Sequence, residues 1–444
     1  MIVWLSLVFF CLYIAIVIGI GIFASRKESE EGFMIADRGV HGFQLAATMS
    51  AGFFDGATLS IFIAYVFGYG LSALWLFVGL ALGFLLLKFF APRIKAKADE
   101  LKVYTMPEYF FHVFGKKNGM LFSFILILQF FGLLIVNLIV SGKVLTHVFG
   151  ISYFLAVAIG GLIVLCYLLL AGFKAVVRTD HFQLFIMFLM SIGVGIFLFK
   201  GTSFTSVELN VTRLGLGNII GFLCIGAFSV VVAPDLWQRI FAAKDTVQLN
   251  RGLKIAAFIL LILGICVSVV GLATKQAFPN IVAEEAFVVG FSELLPSIVK
   301  ELGLVLLYAV TLSSSDTITF VISSIFTRDL KNYTFRFSES SMKKLTRFFM
   351  ILILCSGVAI SVFYKDIITL GFSLGSLSLG LFPVVVGSFY WKLKKKAVML
   401  SLVVSLLGVV VLFGTGQLNP ATSVVTLPLS SITLFISQRM IKSD

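Results

Sequence analysis

The sequence predicts an all-α polytopic membrane protein, and three features of its composition favour lipid over water as its surroundings. Of the 444 residues, 59% are hydrophobic and only 12% are charged, whereas about a quarter of the residues in a soluble domain are charged. The mean hydropathy is +1.09. Apolar runs of about 20 residues, long enough to cross about 30 Å of hydrocarbon, recur from one end of the chain to the other.

The apolar runs and the breaks between them predict about 13 transmembrane helices. They lie near 3–24, 43–67, 71–91, 119–141, 151–171, 181–200, 216–236, 253–274, 298–325, 343–363, 367–390, 397–415 and 420–437. The first run is interpreted as a retained helix, because no basic residue precedes it as in a secretory signal. These runs leave no room for a separate soluble domain, so we expect one transmembrane domain over residues 1–444.

The basic residues predict the orientation of the helices. If the N-terminus is outside, 28 of the 34 Lys and Arg residues lie in inward loops or at an inner helix end, as the positive-inside rule requires. We therefore expect a multi-pass protein of the cell (inner or plasma) membrane with a cytoplasmic C-terminus. The same distribution explains the net charge of +13 without a nucleic-acid partner, and no obligate protein partner is evident.

A polar interruption lies in the second predicted helix. Asp55 is flanked by Gly52 and Gly56, and each glycine weakens a helix interior by about 1 kcal/mol relative to alanine. A broken helix frees backbone carbonyls, which a membrane protein tolerates beside a cavity or a bound ion. The alternative is a Gly-x-x-x-Gly packing face, although the acid between the glycines favours the break.

The ninth predicted helix contains a second polar interruption. Residues 313–317 are five consecutive side chains that carry oxygen, with Asp316 among them. Isolated Ser and Thr side chains usually bond back to the preceding helical turn, but that explanation does not extend to a carboxylate. Hydroxyl, carboxylate and carbonyl oxygens are the ligands that a hard cation prefers. An acid inside an apolar run is a candidate functional residue.

Several segments together resemble the sodium/solute symporter family, which includes the proline, pantothenate, sialic acid and sodium/glucose carriers. The stretch 172–183 is similar to the family's Gly-Gly-x-x-Ala-Val-x-x-Thr-Asp-x-x-Gln signature, although Ala171 stands where the first glycine is usual. The stretch 313–317, followed by Ser-Ser at 323–324, resembles its Ser-Thr-x-Asp-Ser helix. Gln238-Arg239 resembles the loop after its seventh helix. The resemblance extends over nearly the whole chain.

The resemblance implies a LeuT-type 5+5 inverted repeat with discontinuous helices. Residues 43–200 would form the first repeat and 216–391 the inverted second repeat. An extra N-terminal helix and inner loop (1–42) would precede them, and two C-terminal helices (397–444) would follow. The implied function is secondary active transport: sodium-coupled symport of a small organic solute, such as an amino acid, carboxylate or sugar, into the cell by alternating access.

The resemblance also implies the ion sites, with Na⁺ as the coupling ion and no organic cofactor. The main sodium site would use the carbonyls of Phe53, Gly56 and Val310 and the hydroxyls of Ser313 and Ser314. A second sodium site, present in some members, would comprise Asp180, Ser313, Asp316 and Thr317. An aspartate at 316 replaces a serine of the sialic acid carriers, so that site is either more anionic or linked to protons.

The solute would bind at the midplane between the two broken helices. Candidate residues are Asp55, Thr58, Ser60, Ser72, Trp75, Gln129, Phe228, Ser373 and Ser376. Two departures from the family limit the choice of solute. Gly226 and Val230 stand where the proline carriers have tryptophan and tyrosine, and no arginine lies in the fourth helix, where the sialic acid carriers have one.

Three other functions were weighed against symport. A passive channel or facilitator needs no buried carboxylate and hydroxyl cluster. A membrane sensor needs a long cytoplasmic extension after the last helix, and the chain stops at Asp444. An enzyme is disfavoured because the four histidines lie in loops or at helix ends and accompany no evident nucleophile. These are His41, His112, His147 and His181.

Overall fold

The computed structural model describes residues 2–24, 29–169, 172–333 and 338–441. In these residues the secondary structure is helical, apart from one isolated β-bridge between Val40 and Ala243. We number the long helical elements α1 to α13. They are Ile2–Ala24, Gly42–Phe53 with Gly56–Tyr69 (the two halves of α2), Trp75–Leu101, Lys116–Phe149, Tyr153–Leu168, Phe173–Gly201, Leu216–Val232 with Pro234–Ala242 (the two halves of α7), Thr246–Ala277, Ser297–Tyr333, Glu339–Phe363, Ile367–Tyr390, Lys395–Gly414 and Thr426–Met440.

Each predicted apolar run overlaps one of these elements, which confirms the all-α fold class. The predicted end of the fifth helix at Ala171 lies outside the described residues. Among the described residues, nine helices are long and apolar enough to cross a membrane, or ten if the two halves of α7 count as one span. The helices α1 and α5 contain shorter apolar segments, Leu7–Phe23 and Tyr153–Cys166. The number of membrane crossings therefore stays a prediction.

The helix α2 is interrupted at Phe54 and Asp55. Phe54 ends the first half with a non-helical backbone (φ −96°, ψ 62°), and Asp55 begins the second half in an extended conformation (φ −107°, ψ 167°). The break predicted from Gly52 and Gly56 is therefore confirmed. The side chain of Asp55 accepts a hydrogen bond from the amide of Thr58, and this N-cap replaces a bond that a continuous helix would make.

The helix α7 bends by 47° between its two halves. The cause is Pro234, which has no amide hydrogen to donate and which forces the preceding residue, Ala233, into an extended conformation. The indole of Trp237 donates to the carbonyl of Val231 at 2.9 Å, so a carbonyl at the bend is satisfied by a side chain. Both α2 and α7 thus end their first halves near the middle of the bundle.

The two broken helices pack against long unbroken ones. The first half of α7 packs along α3, the first half of α2 packs along α8, and α9 packs against α4 and α6. A Cβ atom added at Gly226 would lie 2.7 Å from the carbonyl oxygen of Leu76. The backbones of α7 and α3 therefore meet there, and a larger side chain does not fit at this position.

A short helix, Met106–Phe114, fixes the end of α9. Thr105 caps it by accepting from the amide of Glu108 at 3.3 Å. The carboxylate of Glu108 is buried and accepts from the guanidinium of Arg328 on α9, with the shortest contact at 2.5 Å. Because removing one partner of a buried ion pair costs about 3–5 kcal/mol, this contact holds the last turns of α9 in place.

Candidate functional site

A cavity of about 160 Å³ lies in the middle of the bundle, beside both helix breaks. It is lined by residues of α2, α3, α4, α7, α9 and α11. Its apolar walls include the rings of Phe130, Phe222 and Phe372. Its polar lining residues are Asp55, Thr58, Gln129, Ser229, Asp235, Ser314, Thr317 and Ser378. A mostly apolar pocket with a few convergent polar groups is typical of a small-molecule site.

The break in α2 frees a backbone carbonyl at the cavity. In a continuous helix the carbonyl of Phe53 accepts from the amide of Ala57. Here that amide points to the side chain of Asn137 on α4, with Oδ1 at 3.3 Å, and the amide of Thr58 points to the carboxylate of Asp55 at 2.7 Å. The carbonyls of Phe53 and of the residue after it have therefore lost their helical partners and are available to a ligand.

The helix α9 lies directly against this break. A Cβ atom added at Gly56 would lie 2.5 Å from the methyl carbon of Thr311, so only a glycine lets the two helices approach so closely. Gly52 faces a different helix, because a Cβ atom added there would lie 3.0 Å from the carboxylate of Asp235 on α7. The two glycines therefore do not form the single packing face that was predicted as the alternative. One turn further along α9, Ser314 lines the cavity, and its hydroxyl lies 3.5 Å from the carbonyl of Val310. That distance is long for a hydrogen bond.

A buried cluster of charges lies beside the cavity. Arg239, on the second half of α7, donates to Asp235 at 2.8 Å and to Asp180 on α6 at 3.2 Å. It also donates to the hydroxyl of Thr48 on α2, which in turn donates to Asp180 at 2.5 Å. The guanidinium is fully buried. Two carboxylates share one guanidinium.

This cluster reaches α9 through Ser313. The hydroxyl of Ser313 donates to the carboxylate of Asp180 at 3.0 Å, so two residues of the predicted second sodium site are in contact. Thr317 lines the central cavity, and its buried hydroxyl has no hydrogen-bond partner among the described residues. Asp316 is also buried, but it lines a small crevice with Gly21 and Thr179 instead of the central cavity. The predicted set therefore spans two sides of α9.

The predicted solute residues divide into two groups. Asp55, Thr58 and Gln129 line the cavity. The other six do not. Ser60 is buried elsewhere on α2, Ser72 donates to the carbonyl of Tyr69, Trp75 donates to the carbonyl of Val211, Phe228 stacks on Phe382, Ser373 donates to the carbonyl of Leu370, and Ser376 donates to the carbonyl of Ser423.

Sequence reasoning missed two residues of the site, Asn137 and Thr48, and named Arg239 only as part of a family motif. Asn137 holds the carboxylate of Asp55 at 3.0 Å through its amide nitrogen, and Thr48 and Arg239 complete the charged cluster. Asp235 and Arg239 are four residues apart, a spacing that places two side chains on one helix face, so that pair was detectable. Nothing in the sequence pairs Asn137 with Asp55, because 82 positions separate them.

Comparisons with known proteins agree with this geometry. The profile of the sodium:solute symporter family matches residues 33–404. A sodium/pantothenate symporter of Haemophilus influenzae is 28% identical over 417 residues, covering 86% of this chain and 84% of the relative. A sodium/proline symporter of Staphylococcus aureus is 26% identical over 420 residues, covering 88% of this chain and 82% of the relative.

Solved structures show the same fold at low sequence identity. A substrate-bound, outward-open Na⁺-coupled sialic acid symporter superposes with a TM-score of 0.86 at 16% identity, covering 99% of this chain and 98% of that chain. A nucleobase-cation-symport-1 family transporter superposes with a TM-score of 0.57 at 14% identity, covering 92% and 94%. The fold is the LeuT-type fold of secondary transporters. The family match over most of the chain shows that this protein belongs to the sodium:solute symporter family and is a sodium-coupled symporter, not an enzyme.

Proposed function

We propose that this symporter moves a small organic solute into the cell by alternating access, with its main coupling sodium bound at the break in α2. The ligands are the carbonyls of Phe53, Gly56 and Val310 and the hydroxyls of Ser313 and Ser314. One observation carries the proposal. The amide that should satisfy the Phe53 carbonyl is held by Asn137 instead, at the point where Gly56 packs against α9.

The chemistry of these oxygens suits a sodium ion. Sodium is a hard cation, and carbonyl and hydroxyl oxygens are ligands that hard cations prefer. Ser313 donates its hydrogen to Asp180, which leaves the lone pairs of its oxygen available to a cation. The long contact between Ser314 and Val310 leaves the hydroxyl of Ser314 weakly engaged. A bound sodium would therefore join the broken helix to α9.

A second cation is proposed next to the first, at Asp180, Ser313, Asp316 and Thr317. Two features support it: the contact of Ser313 with Asp180 and the buried Thr317 hydroxyl. Asp316 lies in the crevice beside Gly21 and Thr179, away from the central cavity, so we propose that its carboxylate acts through its charge, at a distance from the other three.

Replacing sodium by choline tests the coupling. In proteoliposomes that contain the protein, uptake of a transported solute is expected to fall to the level of empty liposomes when choline replaces sodium outside at constant ionic strength. The reason is that choline is too large for a site made of close-packed carbonyls and hydroxyls. Uptake that is the same in choline and in sodium would show a passive facilitator.

The direction of transport rests on the orientation of the chain, which we propose is N-terminus outside and C-terminus inside the cell membrane. The support is the 28 basic residues that this orientation places inside. In a cysteine-free background, a membrane-impermeant maleimide is expected to label Asn210→Cys in intact cells. Lys244→Cys should react only after permeabilisation. Both native side chains are exposed. The opposite labelling pattern would reverse the orientation.

A further inference from the structure

The central cavity is lined by acidic side chains and by no basic one among its described residues. Of its described lining residues, the ionisable side chains are Asp55 and Asp235. Arg239 lies behind Asp235, fully buried, and its guanidinium is already engaged by Asp180, Asp235 and Thr48. A carboxylate that entered the cavity would meet two acids and no available basic side chain. Burying an anion without a partner is costly.

The amide of Gln129 adds a second, independent observation. The Gln129 nitrogen Nε2 donates to the hydroxyl of Ser378 at 2.7 Å. That hydroxyl in turn donates to the carbonyl of Leu374 at 3.2 Å, so the amide oxygen of Gln129 faces away from Ser378. That oxygen, Oε1, is buried and has no hydrogen-bond partner among the described residues.

We propose that the solute is a neutral or cationic compound that donates an N–H or O–H hydrogen bond to Oε1 of Gln129 and carries no free carboxylate. This inference rests on the proposed function. The carboxylate of Asp55 retains lone pairs beyond those used by Thr58 and Asn137, so it accepts from an amine. The apolar part of the solute packs against the rings of Phe130, Phe222 and Phe372.

The predicted solute can be compared with the solutes of the named relatives. The named relatives include carriers of pantothenate and proline, which both carry a carboxylate. The proposal therefore predicts that this chain differs from them in solute class, because the charge and hydrogen bonding of its cavity favour a donor over an acid.

Matched pairs of compounds test the proposal. Thermal stabilisation of the purified, full-length protein in sodium is measured with proline and prolinamide, nicotinate and nicotinamide, and pantothenate and panthenol. Each pair differs in whether a carboxylate is replaced by a neutral amide or alcohol. We expect the carboxylate-free member to bind at least tenfold more tightly in at least one pair. Tighter binding of the acids, or binding of no compound in this panel of donors, would overturn the proposal.

Two variants connect the preference to Gln129. Gln129→Leu removes the acceptor oxygen and is expected to weaken the binding of the preferred compound at least tenfold. Gln438→Leu makes the same change at a glutamine that does not line the cavity and is expected to weaken that binding less than threefold. Stabilisation by sodium alone is recorded first for each protein, so a misplaced sodium site is not confused with a wrong solute class. Equal binding by Gln129→Leu and the wild type would also overturn the proposal.

Discussion

In proteoliposomes held at a membrane potential of about 100 mV, Asp180→Asn is expected to lower the accumulation of solute by about 1.7 decades. Each charge that moves inward across 100 mV contributes about 2.3 kcal/mol, and a factor of ten corresponds to about 1.4 kcal/mol. Asp180 contributes the carboxylate of the proposed second cation site, where it already contacts Ser313. Without that carboxylate, the second cation and its share of the driving force are lost.

The Asp180→Asn protein is expected to fold, because Arg239 keeps its other acidic partner. Asp235 lies 2.8 Å from the guanidinium, so the buried positive charge is not left alone. A large loss of stability follows only when a buried charge loses its compensation. An asparagine keeps one of the two oxygens, so it preserves the bond from Thr48 or the bond from Ser313 but not both, because these hydroxyls donate to different oxygens of Asp180.

The number of sodium ions moved per solute is obtained from the potential at which solute flux reverses. We expect a higher ratio for the wild type than for Asp180→Asn. Asp235→Asn is the matched control, since it also removes one contact with Arg239 but has no contact with Ser313 among those described. It should keep the wild-type ratio. A ratio of one in both the wild type and Asp180→Asn would contradict the second site.

The second large effect is expected at the main site. Ser314→Ala should raise the sodium concentration that gives half-maximal uptake roughly tenfold or more, because a lost bond to a charged partner is worth about 1.5–3 kcal/mol. Ser313→Ala should act in the same direction and also loosen Asp180. The measurement is a sodium titration of uptake at constant ionic strength, with choline as the replacement cation.

Ser315→Ala is the matched control for this titration. It makes the same change one residue further along α9, but the hydroxyl of Ser315 is satisfied by the carbonyl of Thr311 at 2.8 Å and is not among the residues that line the cavity. Its sodium dependence should therefore equal that of the wild type. Equal shifts in Ser314→Ala and Ser315→Ala would show a general effect on α9 in place of a lost ligand.

The sequence was sufficient for the helices and for the break in α2. Lipid makes apolar length an almost complete predictor of a helix, since every backbone group must be satisfied within the segment. The two glycines on either side of Asp55 then indicated where the hydrogen bonds within the helix are interrupted. Gly56 follows the break at Asp55 and also packs closely against Thr311.

The sequence was insufficient for the solute residues. A helix buried on all sides shows no polar and apolar faces, so its sequence does not tell which side chains point to the cavity. The helix α9 is an example: its described residues from 307 to 324 are buried, yet Ser314 and Thr317 line the cavity and Asp316 does not.

The charged cluster shows a further limit of the sequence. Arg239 and Asp180 are separated by 59 positions, and their contact depends on how α6 and α7 pack, which a single sequence does not reveal. The resemblance drew attention to both residues separately, one in the signature that begins α6 and the other in the loop after the seventh helix. Only the structure shows that the two form one ion pair.

The position of the coupling sodium is tested most directly by equilibrium binding of radioactive sodium to the purified protein without solute. The wild type and Ser315→Ala are expected to give superimposable, saturable binding curves. Ser314→Ala is expected to need roughly tenfold or more sodium for half-saturation. A Ser314→Ala curve that coincides with that of the wild type would show that the sodium binds elsewhere.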